Sequence, residues 1–283
     1  MAAPPTPTND WRQQLQRWLQ PLRAAWAVLL NRQCPRCGEF NLDSLLCPAC
    51  WAQLPYTHLR GAEGNVIERV FWSDHRVQRA SAFLWYKPEF DIAPLVHAFK
   101  YHGRKDLAQS FGSAMAHELL ATTFFHGVDA LVPIPLSRRR QARRGYNQSQ
   151  CLAEGVSQVT GLPIITEAIA RAIDNPSQTT LAPTQRRDNV KDIFSLAQPE
   201  LIDGKHILLI DDVITVGATI ESLLRTLAPL TSLRISILAL CAAGTYRVGH
   251  MTTADLRLPD RTAILRPDEV RKYRPKSNHE HPQ

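Results

Sequence analysis

Hydrophobic and polar positions divide much of the chain, from residue 77 onward, into strands and helices. Alternating or uninterrupted apolar runs predict strands at residues 77–86, 129–135, 164–165, 193–196, 206–210 and 233–240. Apolar residues at helical spacing predict helices at residues 92–99, 107–120 and 220–230. Between about residues 129 and 243 the strands alternate with helices, as in parallel sheets that are covered on both faces. The pattern therefore predicts an α/β fold built around a parallel sheet.

The two ends of the chain lack this pattern. Residues 1–9 are rich in Pro, Ala and Thr and are expected to be disordered, and residues 244–283 read as a charged tail. Apolar residues between 11 and 29, three Trp among them, form one helical stripe, so residues 1–30 are predicted to be an extension with an amphipathic helix. The stripe can dock on a membrane surface or a partner, but packing on its own domain is favoured.

Four of the six cysteines form two Cys-x-x-Cys pairs that lie close together: Cys34, Cys37, Cys47 and Cys50. Two such pairs supply the four thiolates of a tetrahedral structural zinc site. A redox pair or two disulfides are the alternatives, but two adjacent pairs favour zinc in a reducing compartment. We predict a zinc ribbon at residues 31–55, which residues 55–75 link to a main domain at residues 77–243.

Two adjacent acids follow the apolar run at residues 206–210. We interpret Asp211 and Asp212 as the groups that hold the hydroxyls of a sugar, because like charges side by side repel one another without a ligand. The next small residues precede a helix that begins near Ala218, and a helix N-terminus favours a phosphate. This predicted phosphate loop consists of Thr215, Val216, Gly217, Ala218 and Thr219. The alternative is an ordinary strand-to-helix junction whose Asp and Thr residues cap the helix.

Two further stretches carry charge that suits an anion. Five Arg fall within seven residues after the strand at 129–135, and Arg138, Arg143 and Arg144 are candidates for binding pyrophosphate. A solvated basic loop or a nucleic-acid patch is the alternative. The polar segment at residues 175–189 is predicted to be a lid, and its Arg186 and Arg187 would approach a bound phosphate when it closes.

Composition narrows the class of protein. The 283-residue chain has a net charge of +7, which suits an anionic partner such as a nucleic acid or a phosphorylated small molecule. No GxxxxGK[ST], GxGxxG or HExxH motif is present, which argues against P-loop, dinucleotide-binding and zincin-type sites. No apolar run reaches the roughly 18 residues of a membrane span. We therefore expect a cytoplasmic protein without stable membrane insertion.

Residues 209–219 resemble the phosphoribosyl pyrophosphate (PRPP) binding motif of type I phosphoribosyltransferases. The chain from about residue 30 to 243 resembles the competence protein F (ComF) family, which joins a zinc ribbon to a phosphoribosyltransferase domain. The resemblance rests on motifs in the expected order: the Cys-x-x-Cys pairs, Lys-Tyr-His-Gly at 100–103, Val-Pro-Ile-Pro at 132–135, Arg-Gly-Tyr-Asn-Gln at 144–148 and Arg-Asp-Asn-Val at 187–190. Val216 departs from the family, which usually has a second Thr there, and one hydroxyl contact is lost.

The resemblance implies an activity and its ligands. Asp211 and Asp212 would bind the ribose 2- and 3-hydroxyls, residues 215–219 the 5-phosphate, and the loop after Pro135 the pyrophosphate, with Mg²⁺ bridging pyrophosphate and ribose. The reaction would be substitution at the anomeric carbon, and no catalytic acid or base is assigned. The acceptor would contact a variable hood, expected within residues 77–125.

The resemblance leaves two main classes of function open, which are compatible with each other, and a purely structural partner protein with a vestigial site is a third hypothesis. The two main classes are a phosphoribosyltransferase that uses PRPP or another phosphorylated sugar, and a non-catalytic module that binds single-stranded DNA or a protein during transformation. The sequence indicates neither the acceptor nor the oligomeric state.

Overall fold

Four parallel strands form the sheet at the centre of the molecule, in the order β1-β6-β5-β2. The computed structural model describes residues 33–40, 45–86, 92–171, 193–215 and 217–243, together with the backbone of 247–248 and 251–252. The strands are β1 (Val77–Tyr86), β2 (Ala130–Pro133), β3 (Ile169–Arg171), β4 (Phe194–Leu196), β5 (His206–Ile214), β6 (Arg234–Ala243), β7 (Arg247–Val248) and β8 (Met251–Thr252). Strands β3 and β4 pair antiparallel, as do β7 and β8, outside the main sheet.

Helices cover both faces of the sheet. They are α1 (Pro48–Ala52), α2 (Val66–Val70), α3 (Ala93–Tyr101), α4 (Lys105–Leu119), α5 (Arg138–Arg144), α6 (Gln148–Thr160) and α7 (Ala218–Thr226), with a 3₁₀ helix at Pro199–Leu201. The predicted parallel sheet flanked by helices is confirmed.

The uninterrupted apolar run of β5 is explained by burial on both faces. Leu208 and Ile210 point into the core under α3, α4 and α6. Ile207 and Leu209 point into the opposite core, which contains residues of α2, α7 and the β3-β4 pair. Because side chains alternate across a strand, a strand buried on both sides has no polar positions to interrupt the run.

Two glycines allow α4 and α6 to pack backbone against backbone. A Cβ added at Gly112 would lie 2.0 Å from the carbonyl oxygen of Leu152, and one added at Gly155 would lie 2.0 Å from that of Gln109. Only glycine fits at both positions. The close contact fixes α6, whose N-terminus lies beside the carboxyl edge of the sheet.

The four-cysteine segment shares a core with the main domain. Three of its cysteines are buried in the same cluster as residues of α3 and α4. The Trp51 ring of α1 packs edge-on against Phe111 of α4, with ring centroids 5.2 Å apart. The four-cysteine segment is therefore joined to the sheet domain by apolar packing as well as by the chain.

Some sequence predictions are confirmed and others differ from the structure. The strand predicted at residues 77–86 is confirmed and lies at the edge of the main sheet, paired with β6, while the hood expected within residues 77–125 stays a prediction. The linker at residues 55–75 contains α2, whose N-cap Asn65 also donates to the carbonyl oxygen of Ala80 in β1. Among the described residues, 164–165 contribute an isolated bridge from Ile164 to Leu131 instead of the predicted strand.

Some predicted regions lie outside the described residues. These are the N-terminal extension at 1–30, the lid at 175–189 and most of the tail at 244–283. In the described part of the chain, no helix combines the length and the apolar composition that crossing a bilayer requires.

Candidate functional site

The carboxyl ends of all four parallel strands meet at one edge of the sheet. Register pairs Pro133 of β2 with Ile210 of β5, and Val213 of β5 with Cys241 of β6. The residues that follow β2 therefore lie next to the end of β5. In open α/β sheets this edge is where ligands bind.

Asp211 and Asp212 lie in the last part of β5 rather than after it. The predicted strand ended at residue 210, but pairing with β6 continues to Ile214, which carries both acids within the ladder. Both residues are half-buried. Successive side chains on a strand point to opposite faces, so the two carboxylates have different neighbours.

Asp211 accepts hydrogen bonds from nearby groups of the same edge. The Ser149 hydroxyl, in the first turn of α6, lies 3.3 Å from Asp211 Oδ1, and the Asp212 backbone N–H donates to the same oxygen at 2.9 Å. Burial and the neighbouring Asp212 carboxylate raise the pKa of Asp211 well above its ordinary value. An added positive charge or hydroxyl donor at this edge would stabilise the ionised form.

Asp212 is paired with a lysine from another part of the chain. The Lys100 Nζ atom, in the last turn of α3, lies 2.6 Å from Asp212 Oδ2. The exposed fractions of the two side chains are only 18% and 16%. This short pair links α3 to the acidic end of β5.

The phosphate loop turns the chain from β5 into α7. Gly217 is buried with φ of +78°, which glycine adopts without strain, and it immediately precedes α7. Thr215 is exposed, Ala218 and Thr219 are half-buried, and Val216 lies outside the described residues. Within the described residues no side chain caps α7, which leaves N–H groups of its first turn for an anion.

The predicted basic loop is a helix. Ser137 accepts from the Arg140 N–H at 3.4 Å and begins α5, and Gly145 ends it in the left-handed conformation. The loop prediction was wrong because local capping, rather than an apolar face, forms this helix. Among its basic residues Arg138 and Arg143 are exposed and Arg144 is half-buried.

Tyr101 joins the basic helix to α3. The guanidinium groups of Arg143 and Arg144 lie 5.5 and 5.1 Å from its ring centroid. The Arg144 Nη2 group lies 3.4 Å from the Tyr101 hydroxyl, and this contact lowers the pKa of Tyr101. The side chain next to Lys100 therefore lies against the Arg cluster.

The four cysteine sulfurs form a second candidate site, separate from the acidic edge. The Sγ atoms of Cys34, Cys37, Cys47 and Cys50 all lie within 4.8 Å of one another. Cys37 Sγ and Cys47 Sγ are 3.6 Å apart, close to the roughly 3.8 Å that tetrahedral Zn–S bonds of about 2.3 Å require.

Backbone hydrogen bonds hold the first pair in a knuckle. The Gly38 N–H donates to the carbonyl oxygen of Cys34 at 2.8 Å, and the Cys34 N–H donates to that of Glu39 at 2.8 Å. Burial raises the pKa of the Cys50 thiol to about 12 in the absence of a cation. Four sulfurs at this spacing suit a zinc ion, which would stabilise them as thiolates.

The structure brings most of the predicted residues together, and adds three. The acids, the described part of the phosphate loop and α5 share one edge, whereas Arg186 and Arg187 lie outside the described residues. Lys100, Tyr101 and Ser149 received no role at this edge from sequence. Lys100 and Tyr101 belong to the Lys-Tyr-His-Gly segment that carries part of the family resemblance. The sequence alone did not indicate a role for them, because only the fold shows which side chains they contact.

Comparison with known proteins shows that the fold is of the phosphoribosyltransferase type. A family model described as "Phosphoribosyl transferase domain" matches residues 143–255. DNA utilization protein YhgH of Escherichia coli (strain K12) is 30% identical over 203 residues, which cover 70% of this chain and 85% of that protein. Competence protein F of Haemophilus influenzae is 34% identical over 116 residues, which cover 41% of this chain and 51% of that protein.

The chain belongs to the ComF family, in which a phosphoribosyltransferase-type domain follows a four-cysteine segment. Competence protein ComFC of Bacillus subtilis is a further relative, 30% identical over 129 residues, which cover 46% of this chain and 50% of that protein. Among solved structures, the allosteric regulatory enzyme of purine biosynthesis aligns with 50% of this chain and 30% of its own at 20% identity. The TM-score of this alignment is 0.33.

Proposed function

We propose that this protein binds PRPP at the carboxyl edge of its sheet and transfers the phosphoribosyl group to an acceptor. The observation that carries the proposal is the Asp211-Asp212 pair near the end of β5. It is followed by the Gly217 turn and by the N-terminus of α7, which no side chain caps among the described residues. Paired carboxylates accept from vicinal hydroxyls, and the helix start offers donors to a phosphate.

Each part of the edge has a role in this proposal. Asp211 and Asp212 accept from the ribose hydroxyls, and Thr215 with residues 217–219 donates to the 5-phosphate. Gly217 allows the backbone to approach because it has no Cβ. The guanidinium groups of Arg138, Arg143 and Arg144 attract the pyrophosphate, and Arg186 and Arg187 are proposed to add charge from the segment beyond β3.

Substitution at the anomeric carbon needs little acid–base chemistry from the protein. A bound Mg²⁺ would supply positive charge to the leaving pyrophosphate. The side chains hold the sugar, exclude alternative orientations and stabilise negative charge on the leaving group. Catalysis by positioning fits an edge with two acids and a basic helix.

Titration of the protein with PRPP in the presence of Mg²⁺ tests the binding step. We expect Asp212→Asn to weaken binding by about tenfold or more, because a hydrogen bond to a charged group contributes roughly 1.5–3 kcal/mol. Asp203→Asn is the matched control, since Asp203 is exposed before the opposite end of β5. Absence of PRPP binding by the unaltered protein would refute the proposal.

Release of pyrophosphate tests the transfer step. Flat nitrogen heterocycles and simple amines are the acceptor classes to supply, since both present a nitrogen nucleophile to the anomeric carbon. Pyrophosphate release that depends on an acceptor and on Mg²⁺ supports an enzyme. Binding without release under any of these conditions would leave a PRPP-binding protein and contradict the transferase.

A second candidate function is binding of single-stranded DNA. The exposed Arg138, Arg139 and Arg143 of α5 favour it, because they present positive charge to solvent at one surface. The names of the relatives, DNA utilization protein and competence protein, support a role in DNA uptake. We propose that the protein is cytoplasmic, because its cysteines suit a reducing compartment.

Fluorescence anisotropy of a labelled oligothymidine tests this candidate. Binding should weaken as salt rises from 50 to 200 mM, and the double replacement Arg138→Ala and Arg139→Ala should reduce the salt dependence. Arg225→Ala, at an exposed position of α7, is the control. An unchanged anisotropy of the oligonucleotide at low salt would exclude direct DNA binding. Displacement of the oligonucleotide by PRPP would indicate that both ligands bind at the same edge of the sheet.

A further inference from the structure

The ion pair between Lys100 and Asp212 ties the acidic edge to an element outside the phosphate loop. Lys100 lies in α3, which follows β1, and its Nζ atom is 2.6 Å from Asp212 Oδ2. The proposed ribose-binding carboxylate therefore has a cationic donor within the protein itself. A sugar hydroxyl that donates to the same oxygen would compete with this lysine.

Both members of the pair are largely shielded from water. Exposed fractions of 18% and 16% mean that removing either partner leaves the other charge poorly solvated. The carboxylates of Asp211 and Asp212 repel each other, so a nearby positive charge stabilises the ionised pair. Lys100 is thus well placed to stabilise the acidic edge while no ligand is present.

Tyr101, the residue next to Lys100, contacts positively charged side chains rather than carboxylates. Tyr101 lies against Arg143 and Arg144, the basic residues proposed to attract pyrophosphate. Two consecutive residues of α3 therefore contact the two groups: Lys100 contacts the Asp212 carboxylate, and Tyr101 contacts the Arg cluster. A lysine side chain has a flexible four-carbon stem, so rotation about its bonds is the movement by which the ammonium group would change partners.

We propose that Lys100 is a positioning residue with two partners: it holds Asp212 while the site is empty and turns to the pyrophosphate when PRPP binds. This inference rests on the proposed function. When the ribose hydroxyls take the place of the ammonium group at Asp212, Lys100 adds its charge to that of the Arg cluster. A single side chain then stabilises the empty edge and neutralises the bound diphosphate.

Two ligands that differ only in the pyrophosphate separate the two roles. Lys100→Met should bind ribose 5-phosphate about fivefold more tightly than the unaltered protein does. Without its lysine partner, the Asp212 carboxylate gains more free energy from accepting a hydrogen bond of a ribose hydroxyl. PRPP with Mg²⁺ should bind about tenfold more weakly, because the diphosphate loses a cationic partner. The two affinities therefore shift in opposite directions, which a general loss of structure cannot produce.

Two further variants complete the experiment. Lys100→Arg keeps the cation and should restore most of the PRPP affinity, and it also tests the proposal if Lys100→Met does not fold. Lys205→Met, near the opposite end of β5, should change neither affinity.

The outcomes separate this inference from the proposed function. If the unaltered protein binds PRPP but Lys100→Met weakens both ligands alike, the pyrophosphate is not the second partner and the inference is overturned. An unchanged affinity for both ligands also overturns it. If the unaltered protein binds no PRPP, the proposed function itself fails.

Discussion

Gly217 meets two constraints at once, a left-handed backbone and contact with α2. Its φ is +78°, and an added Cβ would lie 3.2 Å from Phe71 Cε1 and 3.3 Å from Val70 Cγ1. We expect Gly217→Ala to lower the free energy of unfolding by more than about 1 kcal/mol and to weaken binding of ribose 5-phosphate. Chemical denaturation and calorimetric titration measure the two effects.

A second glycine separates backbone strain from contact. Gly204 has φ of +70°, but no atom lies within 4 Å of an added Cβ. Gly204→Ala should therefore be less destabilising than Gly217→Ala and should leave binding intact. Equal losses of stability in the two variants would show that packing against α2 has no part in the effect.

His206 makes the stability of the fold depend on pH. Burial first, and the positive charge of Arg234 second, lower the pKa of this imidazole. Its ring nitrogens lie 3.1 Å from the carbonyl oxygen of Gly127 and 2.9 Å from the Ser236 hydroxyl. The folded-state pKa of His206 lies below the unfolded value near 6.5. The neutral imidazole therefore makes its full contribution to folding stability above about pH 6.5, and this contribution is lost as the pH falls from about 6.5 through the folded-state pKa.

Chemical denaturation at pH 8 and at pH 5.5 measures this dependence. His206→Gln should reduce the difference in unfolding free energy between the two pH values, whereas His126→Gln, at an exposed position, should not. A pH dependence that is the same in His206→Gln and in the unaltered protein would show that other groups cause it.

At the scale of elements, the glycine contact between α4 and α6 is the feature most sensitive to side-chain size. A Cβ at Gly155 would lie 2.0 Å from the Gln109 carbonyl oxygen, which belongs to backbone that cannot rotate away. We expect Gly155→Ala to lower the free energy of unfolding by about 3 kcal/mol, the upper part of the range for overpacking.

Urea denaturation provides the measurement for this variant. Ser110→Ala, on α4 and half-buried, is the control and should change stability little. Because Ser149 on α6 contacts Asp211, displacement of α6 should also weaken PRPP binding. A variant that keeps both stability and PRPP affinity would show that the helices separate at little cost.

The long elements with an apolar face were predictable, whereas the five-residue helix α2 and helix α5 were not. The core run of β5 and the helical stripe of α7 follow directly from side chains that are buried. Helix α5 has no buried residue, so its sequence carries no periodic signal, and it depends on the Ser137 cap and the Gly145 turn. The pairing of β5 beyond residue 210 is set by β6, which a local pattern does not contain.

At the scale of the whole molecule, the site combines residues that only the fold brings together. The acids and the glycine turn are contiguous and were recognisable as one motif. Lys100 reaches Asp212 because β1 is an edge strand of the main sheet, and α3, which follows β1 along the chain, lies beside the carboxyl edge. That placement is a property of strand order, and strand order follows from long-range pairing.

The same long-range packing predicts how the molecule responds to loss of a metal. Buried cysteines of the four-cysteine segment share a core with α3 and α4, and Trp51 packs on Phe111. A zinc ion bound by the four sulfurs would therefore stabilise the whole molecule rather than the ribbon alone. We expect a chelator to lower the melting temperature of the protein in a single cooperative transition, and added zinc to restore it.

Cys37→Ser tests this prediction most directly, because Cys37 is exposed whereas the other three cysteines of the four-cysteine cluster are buried. Its replacement removes a ligand without opening a cavity in the core, so any loss of stability reports on the metal. The variant should contain less than one zinc per chain by elemental analysis and should melt at the temperature of the chelated protein. Two separate transitions after chelation would contradict the shared core, since they would show that the ribbon unfolds while the sheet domain remains intact.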